Sequence, residues 1–256
     1  MEYFIGIDIG STSTKTAVLD ENGKPVCLFV MPTGWSSIDT AETVRRQLLE
    51  EGIDPEKHAC IATGYGRIAV PYANKTVTEI TCHARGAMAL FDCGDITVID
   101  IGGQDTKIIR TENGIVRDFV MNDKCSAGTG RFLEVMANSL AVRPDELCDL
   151  AAMGGGASIS SMCTVFAESE VISLIGSGEK KENIAYAVVD SIVKKVATQA
   201  GRLEGGGQLV CLTGGLCECG YIVKALSAAL KRPIVTKSDA RYAGAIGAAL
   251  TARKGA

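Results

Sequence analysis

Two stretches of this chain repeat one pattern, and that repeat constrains the fold more than any other feature. Each copy is an apolar run that ends near an aspartate, a short polar loop, and a Thr-Lys pair that opens a second apolar run. An Asn-Gly pair, which is typical of a tight hairpin, follows in both copies. The copies are Ile7-Asp8-Ile9-Gly10 with Thr14-Lys15, and Ile99-Asp100-Ile101-Gly102 with Thr106-Lys107. We therefore expect an α/β fold of two homologous lobes that arose by duplication, residues 1–93 and 94–256.

The loops that follow the two aspartates have the composition of a phosphate site. The first is Gly10-Ser11-Thr12-Ser13, which leads to Lys15, and the second is Gly102-Gly103-Gln104-Asp105. Backbone N–H groups and hydroxyls of such turns hold phosphate oxygens, and a carboxylate positions Mg²⁺, often through water. Two facing loops would hold one triphosphate between them. An ordinary polar hairpin explains either copy alone as well, whereas the paired aspartates favour a nucleotide site.

Between the copies, residues Thr78 to Leu90 have the pattern of a helix that starts beside Glu79. A carboxylate at a helix start usually complements the helix dipole, which is one interpretation of Glu79. Its position just ahead of the second loop makes a catalytic role the other interpretation. His83 lies on the same helix with no set of metal ligands near it in sequence, so we interpret it as a polar packing residue.

A third glycine-rich turn lies closer to the end of the chain. Residues Gln208 to Thr213 are predicted to form a strand that runs into Gly214-Gly215 and then into a helix. Only glycine lets the backbone come very close to a ligand, so this is either an adenosine-binding turn or a structural strand-to-helix connection. The small residues of Asp239 to Leu250 predict a closing helix that packs closely between the lobes.

Two further stretches each place one cysteine among small polar residues at what we predict to be a helix start. They are Asn122 to Glu134, which contains Cys125, and Ser160 to Glu170, which contains Cys163. Free backbone N–H groups, and Lys124 beside Cys125, favour thiolates and hence metal or cluster ligation. A four-thiolate iron–sulfur cluster would need a two-fold symmetric dimer to supply the other two cysteines. The alternative is that both are buried core cysteines, which is the commoner fate of a free cysteine.

The chain contains ten cysteines, and its first residues predict a strand and no secretion signal, so the thiols should stay reduced. The pair Cys217 and Cys219 could bind a metal, but it would need two further ligands that the sequence does not place. Most of the others lie in or beside apolar runs and are expected in the core: Cys27, Cys60, Cys82, Cys93, Cys148 and Cys211.

Composition limits the partners of this chain. Hydrophobic residues make up 46% of it and charged residues 22%, which is typical of a globular protein and excludes disorder. The net charge of −4 argues against a nucleic-acid partner, because an acidic surface repels phosphate backbones. No apolar run approaches the roughly 20 residues of a membrane span, which argues against a membrane partner. We expect a cytoplasmic protein.

Asp8, the two loops and Gly214-Gly215 together resemble the nucleotide site of the acetate and sugar kinase/Hsp70/actin superfamily, whose duplicated lobes are RNase H-like. With the stretches of Cys125 and Cys163 added, the chain most closely resembles the BadF/BcrA family of ATP-dependent activators of 2-hydroxyacyl-CoA dehydratases. The likeness covers nearly the whole chain. It implies that Cys125 and Cys163 of two subunits hold one [4Fe-4S] cluster per homodimer. It also implies ATP hydrolysis coupled to transfer of a low-potential electron from a ferredoxin- or flavodoxin-type reductant to an iron–sulfur dehydratase.

The resemblance also implies roles for individual residues of the nucleotide site. Asp8, Asp100, Glu79 and Gln104 would be catalytic, with Mg²⁺ held by the aspartates and the attacking water oriented by Glu79. Gln104 stands where many members of the superfamily have glycine. The residues that bind ATP or ADP would be Gly10, Ser11, Thr12, Ser13, Lys15, Gly102, Gly103, Gln104, Asp105, Gly128, Gly130, Gly214 and Gly215.

The function that these residues favour is an ATP-driven one-electron donor to a separate dehydratase. Three alternatives stay open. The nearest is the ATPase subunit of a benzoyl-CoA reductase-type system. A small-molecule kinase of the same fold would carry the cysteines incidentally and would need a base aimed at a hydroxyl group. A nucleotide-dependent assembly module like actin would use hydrolysis only to time its association, and it would also lack iron.

Overall fold

The first copy of the repeat lies at the centre of a five-stranded sheet in the computed structural model of this chain, which describes residues 2–161, 163–203 and 209–255. All residues of its central strand β1 are buried, as a continuous apolar run predicts for a strand covered on both faces. The strand order is β3-β2-β1-β4-β5, with β2 antiparallel to β1 and β3, and β4 parallel to β1 and β5. The strands are β1 (Phe4–Ile9), β2 (Ser13–Leu19), β3 (Pro25–Pro32), β4 (Ala59–Thr63) and β5 (Lys75–Thr76).

The second copy forms a second five-stranded sheet on the same plan. Its strands are β6 (Ile96–Ile101), β7 (Thr106–Glu112), β8 (Ile115–Asn122), β9 (Leu209–Gly214) and β10 (Ile234–Val235). Their order is β8-β7-β6-β9-β10, with the same pattern of directions. In both sheets the aspartate of the central strand pairs with the lysine of the next strand, Asp8 with Lys15 and Asp100 with Lys107. The predicted duplicated α/β fold is therefore confirmed.

The helices of the described residues lie between and around these sheets. The second lobe has more of them, since four helices separate β8 from β9 whereas one separates β3 from β4. Ser36 and Thr78 cap the first two helices by accepting hydrogen bonds from the backbone N–H groups of Asp39 and Thr81. The helices are α1 (Ser37–Glu50), α2 (Glu79–Phe91), α3 (Gly130–Ser139), α4 (Pro144–Ala151), α5 (Thr164–Gly176), α6 (Lys181–Ala200), α7 (Gly220–Leu230) and α8 (Ala243–Gly255).

Two predicted helix starts are wrong. The chain after Cys125 stays irregular until Gly130, because Gly128 adopts a φ of +83°, which a right-handed helix does not contain. The closing helix begins at Ala243 and not at Asp239, and a short 3-10 turn over Ser238–Tyr242 precedes it. The predicted strand start at Gln208 lies outside the described residues.

Helices α2 and α8 cross between the two sheets at backbone contact. A Cβ atom on Gly86 of α2 would lie 1.8 Å from the carbonyl oxygen of Ala243, and one on Gly247 of α8 would lie 1.8 Å from that of Cys82. The reciprocal contact means that only glycine fits at either position. The small residues of the closing helix thus serve the close packing that the sequence predicts.

Each of these two helices contributes to more than one core. Ala248 and Ala249 of α8 pack with Phe4 and Leu19 of the first sheet, although α8 comes last in the chain. Helix α2 packs against the second sheet through residues such as Ala84. The lobe boundary between residues 93 and 94 stays a prediction. Within the described ranges, no helix combines the length and apolarity needed to cross a bilayer.

Candidate active site

The two repeated aspartates lie at the ends of the central strands, where the two sheets approach each other. Asp8 is 5% exposed and Asp100 is 1% exposed. Thr213, at the end of β9, donates a hydrogen bond from Oγ1 to Oδ1 of Asp100 at 2.7 Å. Burial of ionised carboxylates requires nearby cations or donors, so the surroundings of this pair decide what it can bind.

His83 lies between the two aspartates. Its Nδ1 is 3.2 Å from Oδ1 of Asp100, and its Nε2 is 3.7 Å from Oδ2 of Asp8. Burial opposes the charged imidazolium, but the attraction of Asp100 and then of Asp8 outweighs it and raises the pKa of His83. The interpretation of His83 as a packing residue is therefore wrong, because this side chain bridges the two lobes electrostatically.

The space for the His83 ring comes from a glycine on α8. A Cβ atom on Gly244 would lie 2.8 Å from Nε2 of His83 and 2.5 Å from Oδ2 of Asp8. The same spacing of three residues separates His83 from Gly86 on α2 and Gly244 from Gly247 on α8, and Gly86 and Gly247 are the glycines at the helix crossing. This recurring spacing is the sequence signal that would have pointed to His83.

Lys107 is buried and lies within 4 Å of three carboxylates. Its Nζ lies 2.6 Å from Oδ2 of Asp105, 3.0 Å from Oε2 of Glu79 and 3.6 Å from Oδ2 of Asp100. Burial lowers the pKa of Lys107, but the carboxylates more than compensate and raise it. Lys107 thereby holds Glu79, the first residue of α2, next to the second phosphate loop.

Lys15 occupies the equivalent position of the first lobe but has a different environment. It is half-buried, and its Nζ lies 3.4 Å from the carbonyl oxygen of Ser13. In the described part of the chain it has no carboxylate partner comparable to those of Lys107. Its charge is therefore available to an anionic ligand.

The two predicted phosphate loops contact each other. A Cβ atom on Gly103 would lie 1.7 Å from Oγ1 of Thr12, so the second loop reaches the first only because this residue is glycine. Ser11, Thr12 and Gln104 are exposed at this contact. The structure therefore brings the two loops together as one surface, which is the arrangement that a shared triphosphate needs.

The Gly214-Gly215 turn opens onto a cavity of about 560 Å³. Gly214 has a φ of +84°, and a Cβ atom there would lie 2.4 Å from the carbonyl oxygen of Ile101. The fold therefore requires glycine at this position, whether or not a ligand binds. Gly215 is exposed, and a Cβ atom there would meet no other atom within 4 Å. The cavity lies between α4 and the start of α7, and its volume is in the range of small-ligand sites.

The first lobe contains a counterpart of this turn that the repeat in the sequence did not reveal. Gly64 has a φ of +88°, and the N–H of Gly66 donates to the carbonyl oxygen of Ile9 at 2.9 Å. In the second lobe the N–H of Gly215, one residue after Gly214, donates to the carbonyl oxygen of Ile101 at 3.0 Å, so the two turns are similar but offset by one residue. The signal was a shared Thr-Gly pair, Thr63-Gly64 and Thr213-Gly214, which extends the duplication to β4 and β9.

The two candidate cluster cysteines lie on segments that are hydrogen-bonded to each other. Cys163 is the exposed N-cap residue of α5, and Cys125 is partly exposed in the loop between β8 and α3. Ser126 and Thr164, each next to one of these cysteines in sequence, join their hydroxyl oxygens at 2.7 Å. Met162 lies outside the described residues.

The segment that follows Cys125, from Gly128 to the start of α3, is hydrogen-bonded to the second phosphate loop and to the start of β7. The N–H of Gly130 donates to the carbonyl oxygen of Gly102 at 2.9 Å, and that of Arg131 donates to Gly103 at 2.7 Å. Thr106 donates from Oγ1 to the carbonyl oxygen of Gly128 at 2.7 Å. Gly128 and Gly130, predicted as nucleotide-binding residues, thus contact the start of β7 and the second phosphate loop through the backbone.

Comparison with known protein families matches residues 5–252 of this fold and site to the BadF/BadG/BcrA/BcrD ATPase family. The chain belongs to this family. A relative in it is the (R)-2-hydroxyglutaryl-CoA dehydratase activating ATPase of Acidaminococcus fermentans, which is 42% identical over 255 residues, 98% of this chain and 97% of that protein. The predicted resemblance to the BadF/BcrA ATPases is confirmed.

Two solved structures are close to this BadF/BcrA-type ATPase over nearly their whole length. Component A of the Acidaminococcus fermentans (R)-2-hydroxyglutaryl-CoA dehydratase has a TM-score of 0.93 at 41% identity, covering 100% of this chain and 99% of that one. The activator of the 2-hydroxyisocaproyl-CoA dehydratase from Clostridium difficile, with bound ADPNP, has a TM-score of 0.91 at 36% identity, covering 99% and 95%.

More distant proteins are similar to this chain in sequence or in fold. One of the subunits of the benzoyl-CoA reductase of Thauera aromatica is 30% identical over 269 residues, covering 98% of this chain and 93% of that protein. A ROK family glucokinase from Streptomyces griseus has a TM-score of 0.63 at 15% identity, covering 98% and 99%, which shows a common fold alone. The predicted two-lobed fold is confirmed.

Proposed function

We propose that this chain hydrolyses ATP and uses the hydrolysis to donate single low-potential electrons that activate a 2-hydroxyacyl-CoA dehydratase. The observation that carries the proposal is the hydrogen-bonded unit formed by the second phosphate loop and the loop of Cys125. A nucleotide at the phosphate loops would contact the backbone that positions this thiol. The relatives that activate dehydratases support the choice of partner.

The nucleotide half of the proposal assigns a task to each group at the loops. Lys15 and the loop N–H groups would bind phosphate oxygens, and the cavity beside Gly215 would receive the adenosine. Asp8 and Asp100 fit Mg²⁺, which prefers carboxylate oxygens and is commonly held by one or two of them together with phosphates. The bound ion would neutralise charge on the phosphates.

Glu79 would orient the attacking water. Phosphoryl transfer to water needs little covalent chemistry from the protein and depends on positioning and electrostatics. Lys107, whose Nζ lies 3.0 Å from Oε2 of Glu79, holds this carboxylate beside the second loop. Gln104, exposed at the tip of that loop, completes the predicted catalytic set.

The cysteine half of the proposal is a [4Fe-4S] cluster shared by a homodimer. The residues fit this group, because Cys125 and Cys163 are accessible and their neighbours are hydrogen-bonded to each other. Among the described residues, no group of three or more potential metal ligands exists, so one chain offers an incomplete set. The cluster, when bound, supplies one-electron redox chemistry, while the chain supplies thiolates and the N-terminus of α5.

An uncovered apolar face beside Cys163 favours a second copy of the chain as the source of the missing ligands. Side chains on the exposed side of α5 include Val165 at 67%, Phe166 at 65%, Ile172 at 58% and Ile175 at 43% exposure. Large apolar patches on soluble proteins commonly mark interfaces, and a two-fold axis would bring two such faces and four thiols together.

Two partners complete the proposal. The electron acceptor would be an iron–sulfur dehydratase of 2-hydroxyacyl-CoA substrates, and the electron source would be a ferredoxin- or flavodoxin-type reductant. The proposed setting is the cytoplasm. The second candidate function is the ATPase subunit of a benzoyl-CoA reductase-type system, which the 30% identical relative favours.

The test is the iron content of anaerobically purified protein and of two cysteine variants. Cys125→Ser and Cys163→Ser should each lose the brown colour, the iron and the sulfide but still bind an ATP analogue. Cys27→Ser, in which a half-buried cysteine of β3 is changed, should keep all of these. Normal iron content in Cys163→Ser would overturn the cluster assignment, and a colourless wild-type protein would favour a kinase of the same fold.

A reconstitution separates the two candidate functions. The wild-type protein, a chemical or protein reductant and ATP are mixed anaerobically with either a 2-hydroxyacyl-CoA dehydratase or the catalytic subunits of a benzoyl-CoA reductase. The proposal expects ATP-dependent activation of the dehydratase alone. Activation of the reductase instead would establish the second candidate.

A further inference from the structure

One carboxylate on α5 binds the segment of chain that leads to Cys163. Oε2 of Glu170 accepts a hydrogen bond from the backbone N–H of Ser160 at 2.8 Å, and its Oε1 accepts one from the N–H of Ser161 at 2.9 Å. The hydroxyl groups of the same two serines also donate to Oε1, that of Ser160 at 3.0 Å. Four donors of two consecutive residues therefore converge on a single side chain.

These contacts join the two ends of the Cys163 region. Ser161 lies two residues before Cys163, and Glu170 lies on the helix that Cys163 caps, seven residues after it. The irregular segment ahead of the thiol is thus bound to the regular helix behind it. Because α5 is rigid, the carboxylate restricts the backbone positions from which the thiol of Cys163 can start.

The donors that bind Glu170 are neutral, so they hold its charge in place without cancelling it. The hydrogen bond from the Ser161 hydroxyl, and then that from the backbone of Ser160, lowers the pKa of Glu170 against a small effect of burial. The side chain therefore carries a full negative charge at neutral pH, close to a thiol proposed as a cluster ligand.

The segment of Cys125 is held in a different way. Nδ2 of Asn122 donates to the carbonyl oxygen of Cys125 at 2.8 Å and to that of Ala127 at 3.1 Å. This amide fixes the backbone beside the thiol as Glu170 does, but it is neutral and binds acceptors instead of donors. The charged contact is therefore a particular property of the Cys163 side.

We propose that Glu170 is a positioning residue for Cys163, which fixes the backbone ahead of this thiol and makes the bound cluster harder to reduce. The effect on reduction rests on the proposed function, because it takes the cluster to be held by Cys163. The effect on the backbone depends only on the hydrogen bonds of Glu170.

Two physical effects give the sign of the change in reduction potential. Hydrogen bonds to the sulfurs and net charge are among the main determinants of iron–sulfur potentials. Glu170 engages the N–H groups of Ser160 and Ser161, so these donors do not stabilise negative charge on the cluster sulfurs. Reduction adds one negative charge to the cluster, and the charge of Glu170 opposes it. Both effects lower the potential, as a low-potential electron donor requires.

The size of the electrostatic effect follows from the helix. A rise of 1.5 Å per residue over seven residues separates the backbone of Glu170 from that of Cys163 by about 10 Å along the axis. At an effective dielectric constant of about 20, two unit charges at about this distance change an equilibrium roughly tenfold. We therefore expect loss of the charge to favour the reduced cluster roughly tenfold, which is about 59 mV for one electron.

Amide hydrogen exchange tests the effect on the backbone. The anaerobically purified protein is compared with Glu170→Ala, both with its iron and after removal of iron by a chelator. Exchange in the peptide that contains Ser160 and Ser161 should become about tenfold faster in Glu170→Ala, as expected for lost hydrogen bonds. Glu168→Ala is the matched control, because Glu168 lies on the same helix but accepts from Ser139. It should leave the exchange of this peptide unchanged.

An anaerobic redox titration of the holoprotein, followed by visible and electron paramagnetic resonance spectra, tests the effect on the cluster. Glu170→Gln keeps one acceptor oxygen and removes the charge, so its potential should rise by about 59 mV. Glu170→Asp keeps the charge and should stay close to the wild type. Glu50→Gln removes an exposed carboxylate from α1 of the first lobe and should leave the potential unchanged.

Several results would overturn the proposal. Unchanged exchange of the Ser160 and Ser161 peptide in Glu170→Ala would contradict the fixing of the backbone. An unchanged potential in Glu170→Gln with normal iron content, or an equal rise in Glu170→Asp, would contradict the role of the charge. A wild-type protein without iron would be a failure of the proposed function, and the exchange measurement would still decide whether Glu170 fixes the segment.

Discussion

At the scale of single residues, the site is a balance between buried carboxylates and two buried basic side chains, His83 and Lys107. His83 lies next to Asp8 and Asp100. Lys107 lies next to Asp100, to Asp105 of the second loop and to Glu79 at the start of α2. Neither side chain was assigned a role from the sequence, because partners such as Asp8 for His83 and Glu79 for Lys107 lie far away in the chain. Removing Lys107 leaves three carboxylates without their shared positive partner, and this should lower the free energy of unfolding.

The first prediction concerns Glu79. Glu79→Gln keeps the size of the side chain and removes its charge, so nucleotide binding should persist while ATP turnover falls by about 10²–10⁴, as is typical of lost general-base chemistry. Phosphate release and analogue binding are the two measurements. Glu182→Gln, which changes another carboxylate in the first turn of a helix, is the control and should leave turnover unchanged. Wild-type turnover in Glu79→Gln would make this carboxylate a helix-dipole charge only.

The second prediction concerns Lys107. Lys107→Met should lower the free energy of unfolding by about 3–5 kcal/mol at pH 7, because it leaves buried carboxylates unpaired. Lys194→Met, which breaks an exposed pair with Asp190, should cost less than about 1 kcal/mol. Urea unfolding of both variants against the wild type measures the difference.

The pH dependence of this deficit has a definite sign. Burial opposes ionisation of Asp100, but His83 and then Lys107 lower its pKa below the ordinary range. A depressed carboxylate pKa stabilises the fold above the unfolded value of about 3.9, and this stabilisation is lost as pH falls further. The deficit of Lys107→Met should thus be largest near neutral pH and should shrink below about pH 4. A deficit that is constant with pH would mean that lost packing causes it.

At the scale of elements, the crossing of α2 and α8 positions the site. The two helices touch through Gly86 and Gly247, and this contact places His83 of α2 against the aspartate of the first sheet. A wider crossing would withdraw the imidazole from Asp8. The architecture of the site therefore depends on residues that have no side chain.

The third prediction follows from this crossing. In Gly247→Ala the new Cβ atom would clash with the carbonyl oxygen of Cys82, so we expect a loss of about 1–3 kcal/mol in unfolding free energy, as for other overpacked positions. Gly255→Ala lies on the same helix with nothing within 4 Å of the new Cβ atom, and it should be neutral or slightly stabilising. Equal melting temperatures for the two variants would show that the helices separate without cost.

The sequence predicted those parts of the site that depend on local order. The repeat was sufficient to place Asp8, Asp100 and both loops, since a strand and the loop after it are adjacent in the chain. It was insufficient for His83, whose role depends on where α2 crosses α8. The start of α3 was misplaced because the left-handed backbone of a glycine postpones the helix.

At the scale of the whole molecule, the nucleotide loops and the cysteine loop are connected through backbone hydrogen bonds. Two-lobed nucleotide proteins commonly close by hinge motion when ligand binds. Such a motion would move the second phosphate loop and, through Gly102 and Gly103, the start of α3. The nucleotide state would then reach Cys125 by a mechanical route.

The fourth prediction tests this route. Removal of iron by a chelator, and capture of the dehydratase, should differ between the ADP state and a non-hydrolysable ATP-analogue state under anaerobic conditions. Thr106→Val deletes the hydrogen bond to Gly128 and should reduce the difference in chelation rate by a factor of about 2–10, which corresponds to the loss of one hydrogen bond. Identical chelation and capture in both states of the wild type would leave an ATPase that merely carries a cluster.

The contrast between Lys15 and Lys107 has an evolutionary consequence. A chain that arose by duplication begins with two equal loops, but a nucleotide has a base at one end and phosphates at the other, so equal loops cannot both suit it. One ancestral lysine has kept a charge free for ligand, and its twin is now surrounded by carboxylates of its own chain. If the two copies began alike, their divergence left one lysine available to a ligand and made the other part of the framework. Exchanging the two environments by design would test how far that history can be reversed.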